Sequence, residues 1–281
     1  MQPALSDEAL QQLLREEAPY GDLSTLGLGL SEQPGSVTLA ARQPMTACGI
    51  EEAARLFALS GVTAQALTPS GRHVLAGTEL LSARGPVSSL LRVWPLARTL
   101  VADTSGLASE VARIVTELRA AGYTQPLACT AQVFPGTRAL VSKAVLSGGG
   151  IMYRFNLSDS LVLTPAQRVF VDGSLDDAVG RMRQRHPERR LVAEVSSLQE
   201  ALAMAGAGAE VLELQGVTPE VVRACKVALH TSRLHPTLVV SGAVHAGNAV
   251  AFAQAGADML VSAALPQAQP CEIEVRFSRA P

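Results

Sequence analysis

From Leu127 onward the chain alternates short β-rich runs with amphipathic helical ones, and this alternation restricts the fold more than any other feature of the sequence. The runs PLACT, SLVLT, RLVAEV, EVLEL, TLVVSG and DMLVSAAL are largely apolar, and segments such as SLQEALAMAGAG and TPEVVRACKVALH carry helical spacing between several of them. Apolar strands separated by helices predict a parallel sheet with crossover helices. Six such units fall short of the eight in a standard barrel, so an incomplete, six-stranded α/β barrel is expected.

The preceding residues read as a separate α+β sandwich. Ser6 can cap a helix running to about Glu17, with Leu10, Leu13 and Leu14 on one face and Pro19 at its end. SVTLAAR alternates apolar and polar residues, IEEAARLFALSG reads as a helix, and VTAQALT and TELLSARG read as strands around the turn at Pro69 to Gly71. Val87 to Ala121 is helical in pattern but contains Pro95 and Gly106, which predicts two consecutive helices. The closing run CEIEVRFS has strand periodicity and no helix after it. The expected division is 1–104 for the sandwich and its bridging helix, 105–268 for the barrel and 269–281 for a last strand.

Composition removes several function classes. A content of 48% hydrophobic and 17% charged residues over 281 positions supplies a full core. The net charge of −2, with both signs interleaved, gives no broad cationic surface for a nucleic-acid backbone. No apolar run approaches the roughly 18 residues needed to cross a bilayer, and the acidic start SDEALQQLLREE is unlike a secretory signal, so a cytoplasmic protein without membrane contact is expected. Cys48, Cys129, Cys225 and Cys271 show no CxxC spacing, and the five histidines show no paired ligand spacing, so neither a metal centre nor a disulfide framework is predicted. The basic run from Arg181 to Arg190 reads as a solvated helix end.

Candidate chemistry lies at the ends of the predicted barrel strands. After LVVS, Ser241, Gly242 and Ala243 open a tight turn toward a helix at His245, and Ser262, Ala263 and Ala264 make a similar turn after DMLV. Small residues let backbone amides approach a phosphate, and a helix N-terminus adds partial positive charge; ordinary close packing explains the same residues. Arg154 follows a GGG run, where it offers a bidentate fork to carboxylate or phosphate or else a structural salt bridge. Tyr153 beside it offers a hydroxyl and a stacking face. Glu194, within the apolar strand RLVAEV, either faces a lumen or pairs with a base. Arg138 and Lys143 lie on the helix after PGT.

The stretch CTAQVFPGTRALVSKAVLSGGGIMYR, together with EEAPYGDLST, ARGP, SGLAS, LSDS and CEIEVRF in the same order, resembles the quinolinate phosphoribosyltransferase family, and more closely its ModD branch associated with molybdenum transport. The resemblance implies the sandwich-plus-barrel fold, a C-terminal strand returning to the N-terminal sheet, and a homodimer with the site near the subunit boundary. It implies ribose 5-phosphate binding at SGAV and SAAL, where the family has SGGI and VGAL. It makes Glu194 and Arg154 the catalytic candidates and places Arg154, Tyr153, Gln132, Arg138, Lys143 and Gln215 around a small anionic phosphorylated ligand. Magnesium would accompany phosphoribosyl pyrophosphate, with no tightly bound cofactor.

Departures from the family pattern are concentrated in its charges. Cys129 to Val133 replace Asp-Thr-Arg-Lys-Thr, Thr164 to Gln167 replace Lys-Asp-Asn-His, and Leu214, Gln215 and Gly216 replace Leu-Asp-Asn. The arginine that reaches a neighbouring subunit falls at Pro95, with Arg92 and Arg98 nearby. Charge-assisted hydrogen bonds contribute about 1.5–3 kcal/mol each, so losing four removes on the order of 6–12 kcal/mol if additive, and efficient quinolinate turnover is not expected. The leading expectation is therefore a phosphoribosyltransferase, nicotinate-nucleotide pyrophosphorylase-like, with a different acceptor. The alternative is a non-catalytic ligand-binding or regulatory homologue of the same fold linked to molybdate handling.

Overall fold

The computed structural model describes residues 2–30 and 33–279. The N-terminal part runs α1 (Asp7–Glu17), α2 (Leu23–Gly27), β1 (Pro34–Ala41), β2 (Met45–Thr46), α3 (Ile50–Leu59), β3 (Thr63–Ala66), β4 (His73–Val74), β5 (Glu79–Pro86) and α4 (Val87–Ala120). There follow β6 (Leu127–Thr130), α5 (Arg138–Ser147), β7 (Ile151–Tyr153), β8 (Leu161–Leu163), α6 (Pro165–Arg168), α7 (Leu175–Arg185) and β9 (Leu191–Val195). The rest comprises α8 (Leu198–Gly206), β10 (Val211–Gln215), α9 (Pro219–Thr231), β11 (Thr237–Gly242), α10 (Ala246–Ala255), β12 (Met259–Ser262) and β13 (Ile273–Arg279).

These elements form two compact units, one of residues 1–112, 134–149 and 267–281 and one of residues 113–133 and 150–266. In the first, an antiparallel sheet of order β13-β1-β5-β3 carries the core. Val37, Leu39 and Ala41 of β1 pack with Leu10 and Leu14 of α1 and with Ile50, Leu56 and Phe57 of α3. Ser6 caps α1 as its residue type dictates, its hydroxyl accepting from the Ala9 N–H at 3.2 Å. The C-terminal run does return: β13 pairs with β1 antiparallel, Val37 opposite Phe277.

The bridge is one 34-residue helix, not the expected two. Pro95 removes one backbone hydrogen bond, but Leu90, Val93, Ala97 and Val101 are buried along α4, and that burial overrides the break. Gly106 serves close packing rather than a break, because a Cβ there would lie 2.1 Å from the Gln269 carbonyl oxygen.

The second unit holds a parallel sheet of order β7-β6-β12-β11-β10-β9-β8. It is the incomplete barrel expected, with seven strands instead of six. The added strand, Ile151–Tyr153, spans only three residues and follows the glycine run, so it leaves no β-rich signature. All four cysteines are buried free thiols, and burial pushes Cys129 up to about 12, which keeps it protonated and inert. Among the described residues, no helix is long and apolar enough to cross a membrane.

Candidate functional site

Strand register fixes which side chains share the inner face of the parallel sheet. Ala128 lies beside Val261, Val261 beside Ser241, Val239 beside Glu213, Ser241 beside Gln215, Glu213 beside Glu194 and Val192 beside Val162. Tyr153 lies beside Thr130 at the other end of the sheet. Side-chain direction alternates along a strand while lateral neighbours share a face, so all of these point the same way. The lower layer is apolar: Ala128, Val192, Val211, Val239 and Val261 pack as one cluster, with Tyr153, Val162 and Met259 against it. Toward the C-terminal strand ends the same face turns polar, with Thr130, Tyr153, Glu194, Glu213, Gln215 and Ser241. Leu212 and Leu214, on the opposite face of β10, are fully buried.

Arg154, the residue after β7, closes this polar layer. Its Nη2 lies 3.0 Å from Glu213 Oε2 and 3.7 Å from Glu194 Oε1. Between β7 and β10 stand three strands, and at about 4.8 Å per strand a flat sheet would hold them roughly 19 Å apart. One arginine side chain spans no such distance, so the sheet curls and brings its edge over its centre. Arg154 adopts φ 53°, an uncommon conformation for a residue with a Cβ and the kind of local strain that collects at functional sites.

Both expected catalytic residues, Arg154 and Glu194, therefore meet on one inner face, and Glu213 joins them. Glu213 is 3% exposed. Burial, then the neighbouring Glu213 charge, raises the Glu194 carboxyl above its usual value, while Arg154 and Arg168 oppose that shift. Arg168, on α6, is itself paired with Glu200 at 3.3 Å. Burial and then Glu213 push the Tyr153 phenol far up, so it remains a neutral donor. The Arg154 guanidinium carbon stands 5.0 Å from the centre of the Tyr153 ring. Tyr153 Oη and Arg154 Nε are buried without a hydrogen-bond partner among the described residues. Gln215 is exposed at the end of β10, its amide donating to Glu213 Oε1 at 3.4 Å.

The two expected phosphate turns are occupied from within. Ser262 Oγ donates to the Val244 carbonyl at 2.7 Å, and the Ala263 N–H donates to the Gly242 carbonyl at 3.1 Å. The Ala264 N–H donates to Ser262 Oγ at 3.2 Å. These bonds tie the two turns together, so Ser262 and Ala263 are not the free donors the sequence suggests. At α10 the His245 ring accepts from the Gly247 N–H, and Asn248 Oδ1 accepts from the His245 N–H. That capping pair satisfies part of the helix start that a phosphate would use. Ser241 remains on the inner face, and Gly242, at φ 115°, turns the chain beside Ala243, which is exposed.

Lys143 has a different role from the ligand contact expected of it. It is buried in the first unit, donating to Glu51 Oε2 at 2.8 Å, Glu52 Oε2 at 2.6 Å and the Gln2 carbonyl at 3.1 Å. An ammonium has three donors, and these acceptors take them all. Arg138 and Gln132 are exposed, at the start of α5 and in the loop after β6. Thr164 to Gln167, where the family carries charges, form a reciprocal helix cap: Thr164 Oγ1 accepts from the Gln167 N–H at 3.2 Å while Gln167 Oε1 accepts from the Thr164 N–H at 2.9 Å. The described residues contain no cluster of three or more metal-ligating side chains. Glu194 and Glu213 do fit the limited demand of Mg2+, which usually takes one or two carboxylates and completes its shell from phosphates and water.

Glu213 and Arg168 are the residues that the sequence reading missed. Glu213 had a signal, since EVLEL, like RLVAEV, sets one carboxylate among apolar strand residues. Arg168 had none, because its approach to Glu194 depends on the turn that α6 makes.

Family models fit nearly the whole chain. That for the quinolinate phosphoribosyl transferase N-terminal domain matches residues 22–105, and that for the C-terminal domain matches residues 107–276. The chain is 42% identical over 254 residues to ModD of Rhodobacter capsulatus, which is named as a pyrophosphorylase, covering 90% of this chain and 97% of that one. It is 28% identical over 258 residues to the human carboxylating nicotinate-nucleotide pyrophosphorylase, covering 92% and 86%. The crystal structure of NadC from Streptococcus pyogenes superposes with a TM-score of 0.86 at 26% identity, over 98% of this chain and 97% of that one.

Proposed function

The chain belongs to the quinolinate phosphoribosyl transferase family, and from that membership we propose that its barrel mouth binds a phosphoribosyl compound and transfers the ribosyl group to an acceptor other than quinolinate. The observation that carries this reading is the placement of Arg154 over Glu194 and Glu213, at the C-terminal strand ends where barrel enzymes hold their chemistry. Arg154 offers its unpartnered Nε to an anionic group of the ligand, and the neutral Tyr153 hydroxyl donates beside it. Glu194 accepts from ribose hydroxyls and, with Glu213, stabilises positive charge developing at the anomeric carbon. Magnesium would be held by these carboxylates and by ligand oxygens, and would supply charge for a departing pyrophosphate.

The same geometry argues against quinolinate. Thr130, Gln132, Thr164 and Gln167 stand in the segments where the family carries charges, and α6 is capped by the last two. A ligand carboxylate about 5 Å from a carboxylate of the site costs about 3 kcal/mol at an effective dielectric of 20. The test is calorimetric titration with phosphoribosyl pyrophosphate and Mg2+. Saturable binding is expected, weakened at least about tenfold by Arg154→Ala. Absence of binding at millimolar ligand, or equal binding by the variant, rejects the assignment.

A second reading, a ligand-binding or regulatory homologue without turnover and linked to molybdate handling, is favoured by the inward-turned donors of Ser262 and Ala263. Pyrophosphate release with any acceptor excludes it. We also propose a homodimer with the site near the subunit boundary, for which Arg92, whose buried Nε has no partner among the described residues, and the exposed Arg98 are the candidate contributors. Sedimentation as a pure monomer removes that part.

A further inference from the structure

Resting on the reading that the polar inner face is a phosphoribosyl site, we infer that Glu213 determines its acceptor specificity, turning away ring dicarboxylates and selecting an acceptor that is neutral or presents hydrogen-bond donors. Glu213 is 3% exposed, lies in register beside Glu194, and shares Arg154 with it at 3.0 and 3.7 Å. The inner face thus carries two carboxylates against one guanidinium. Arg168, the next cation toward Glu194, is engaged by Glu200 at 3.3 Å. The other polar residues of that face, Thr130, Gln215 and Ser241, are uncharged, and Tyr153 is held neutral. A dianion approaching this face meets two carboxyl groups and a cation already engaged by both.

What the face offers instead is acceptor oxygens on Glu194 and Glu213, the Gln215 amide, and the neutral Tyr153 hydroxyl. That set matches an N–H or O–H donor beside one acceptor, the pattern of a carboxamide, an amine or a neutral nitrogen heterocycle. Glu213 is a positioning residue as well, since its hold on Arg154 fixes where the guanidinium can meet a ligand phosphate. Replacing its charge while keeping its shape separates the two roles.

The experiment titrates the full chain, with and without Mg2+ and phosphoribosyl pyrophosphate, with pyridine-2,3-dicarboxylate, pyridine-3-carboxylate and pyridine-3-carboxamide. For the unaltered protein the affinity is expected to rise in that order. In Glu213→Gln the dicarboxylate is expected to bind at least about tenfold more tightly, with the carboxamide unchanged or weaker. A flat or reversed order in the unaltered protein, no binding of any of the three, or an unchanged dicarboxylate affinity in a folded variant overturns the inference. If Glu213→Gln does not give a native circular-dichroism spectrum, the order in the unaltered protein decides. Phosphoribosyl pyrophosphate is read separately: its failure to bind while the order holds rejects the phosphoribosyl reading alone, and its binding with a flat order rejects the Glu213 role alone.

Discussion

Glu51 and Glu52 stand side by side in the first turn of α3, and Lys143 reaches both from α5. Burial alone would raise Glu51, but hydrogen bonds from Lys143 and Ser70 outweigh it and hold the carboxyl at about 2. A depressed carboxyl stabilises the fold above its unfolded value near 4.5 and loses that contribution as pH falls toward 2. After allowance for solvent screening the contribution is about 1–2 kcal/mol. Urea unfolding should therefore find Glu51→Gln less stable than the unaltered protein at pH 6, the gap narrowing on acidification and closing near pH 2. A gap that persists at pH 2 points to packing rather than charge. At this scale the sequence was informative where a charge interrupts an apolar strand, as at Glu194, or follows a glycine run, as at Arg154. It was uninformative for Lys143, because helix periodicity does not reveal which carboxylates another helix presents.

Among elements, α4 shows how tertiary packing overrides a local signal. Pro95 and Gly106 both read as breaks, yet α4 is continuous, and Gly106 is where the segment after β12 crosses it. Gly106→Ala should place a methyl against the Gln269 backbone and destabilise the first unit by about 3 kcal/mol or more. Limited proteolysis should then cut the chain near Gln269 sooner; an unchanged cleavage pattern means that the backbone moves aside cheaply. The parallel strands were legible because apolar runs bounded by helices leave few alternatives. β7 was not, since three half-exposed residues make no pattern of their own, and its place follows only from pairing with β6. Thr164 to Gln167 looked like lost ligands and proved to be a helix cap, a role that the Thr-Pro-x-Gln spacing does encode.

For the whole molecule, the feature that matters is the pairing of β1 with β13. Without Cys271–Pro281, β1 would keep β5 on one side and present an open edge carrying Val37 and Leu39 on the other. Hydrogen exchange on such a truncated protein should show amides of β1 losing protection by a larger factor than those of β10. Equal loss in both strands would mean that the two units unfold together. The sandwich, the barrel and the returning strand were all anticipated, because each depends on periodicity and order along the chain. The meeting of Arg154 with Glu213 was not, since it depends on which residues the curled sheet brings across its inner face.

The β1–β13 pairing also sets a timetable for synthesis. The strand that completes the first sheet leaves the ribosome after the whole barrel has been made. Until then the nascent N-terminal unit has three of the four strands of its sheet and an unpaired β1 edge, so the usual order in which the first domain folds before the next is translated is unavailable to it. A chaperone that shields sheet edges should therefore act early on this chain and let go only once β13 has emerged and paired with β1.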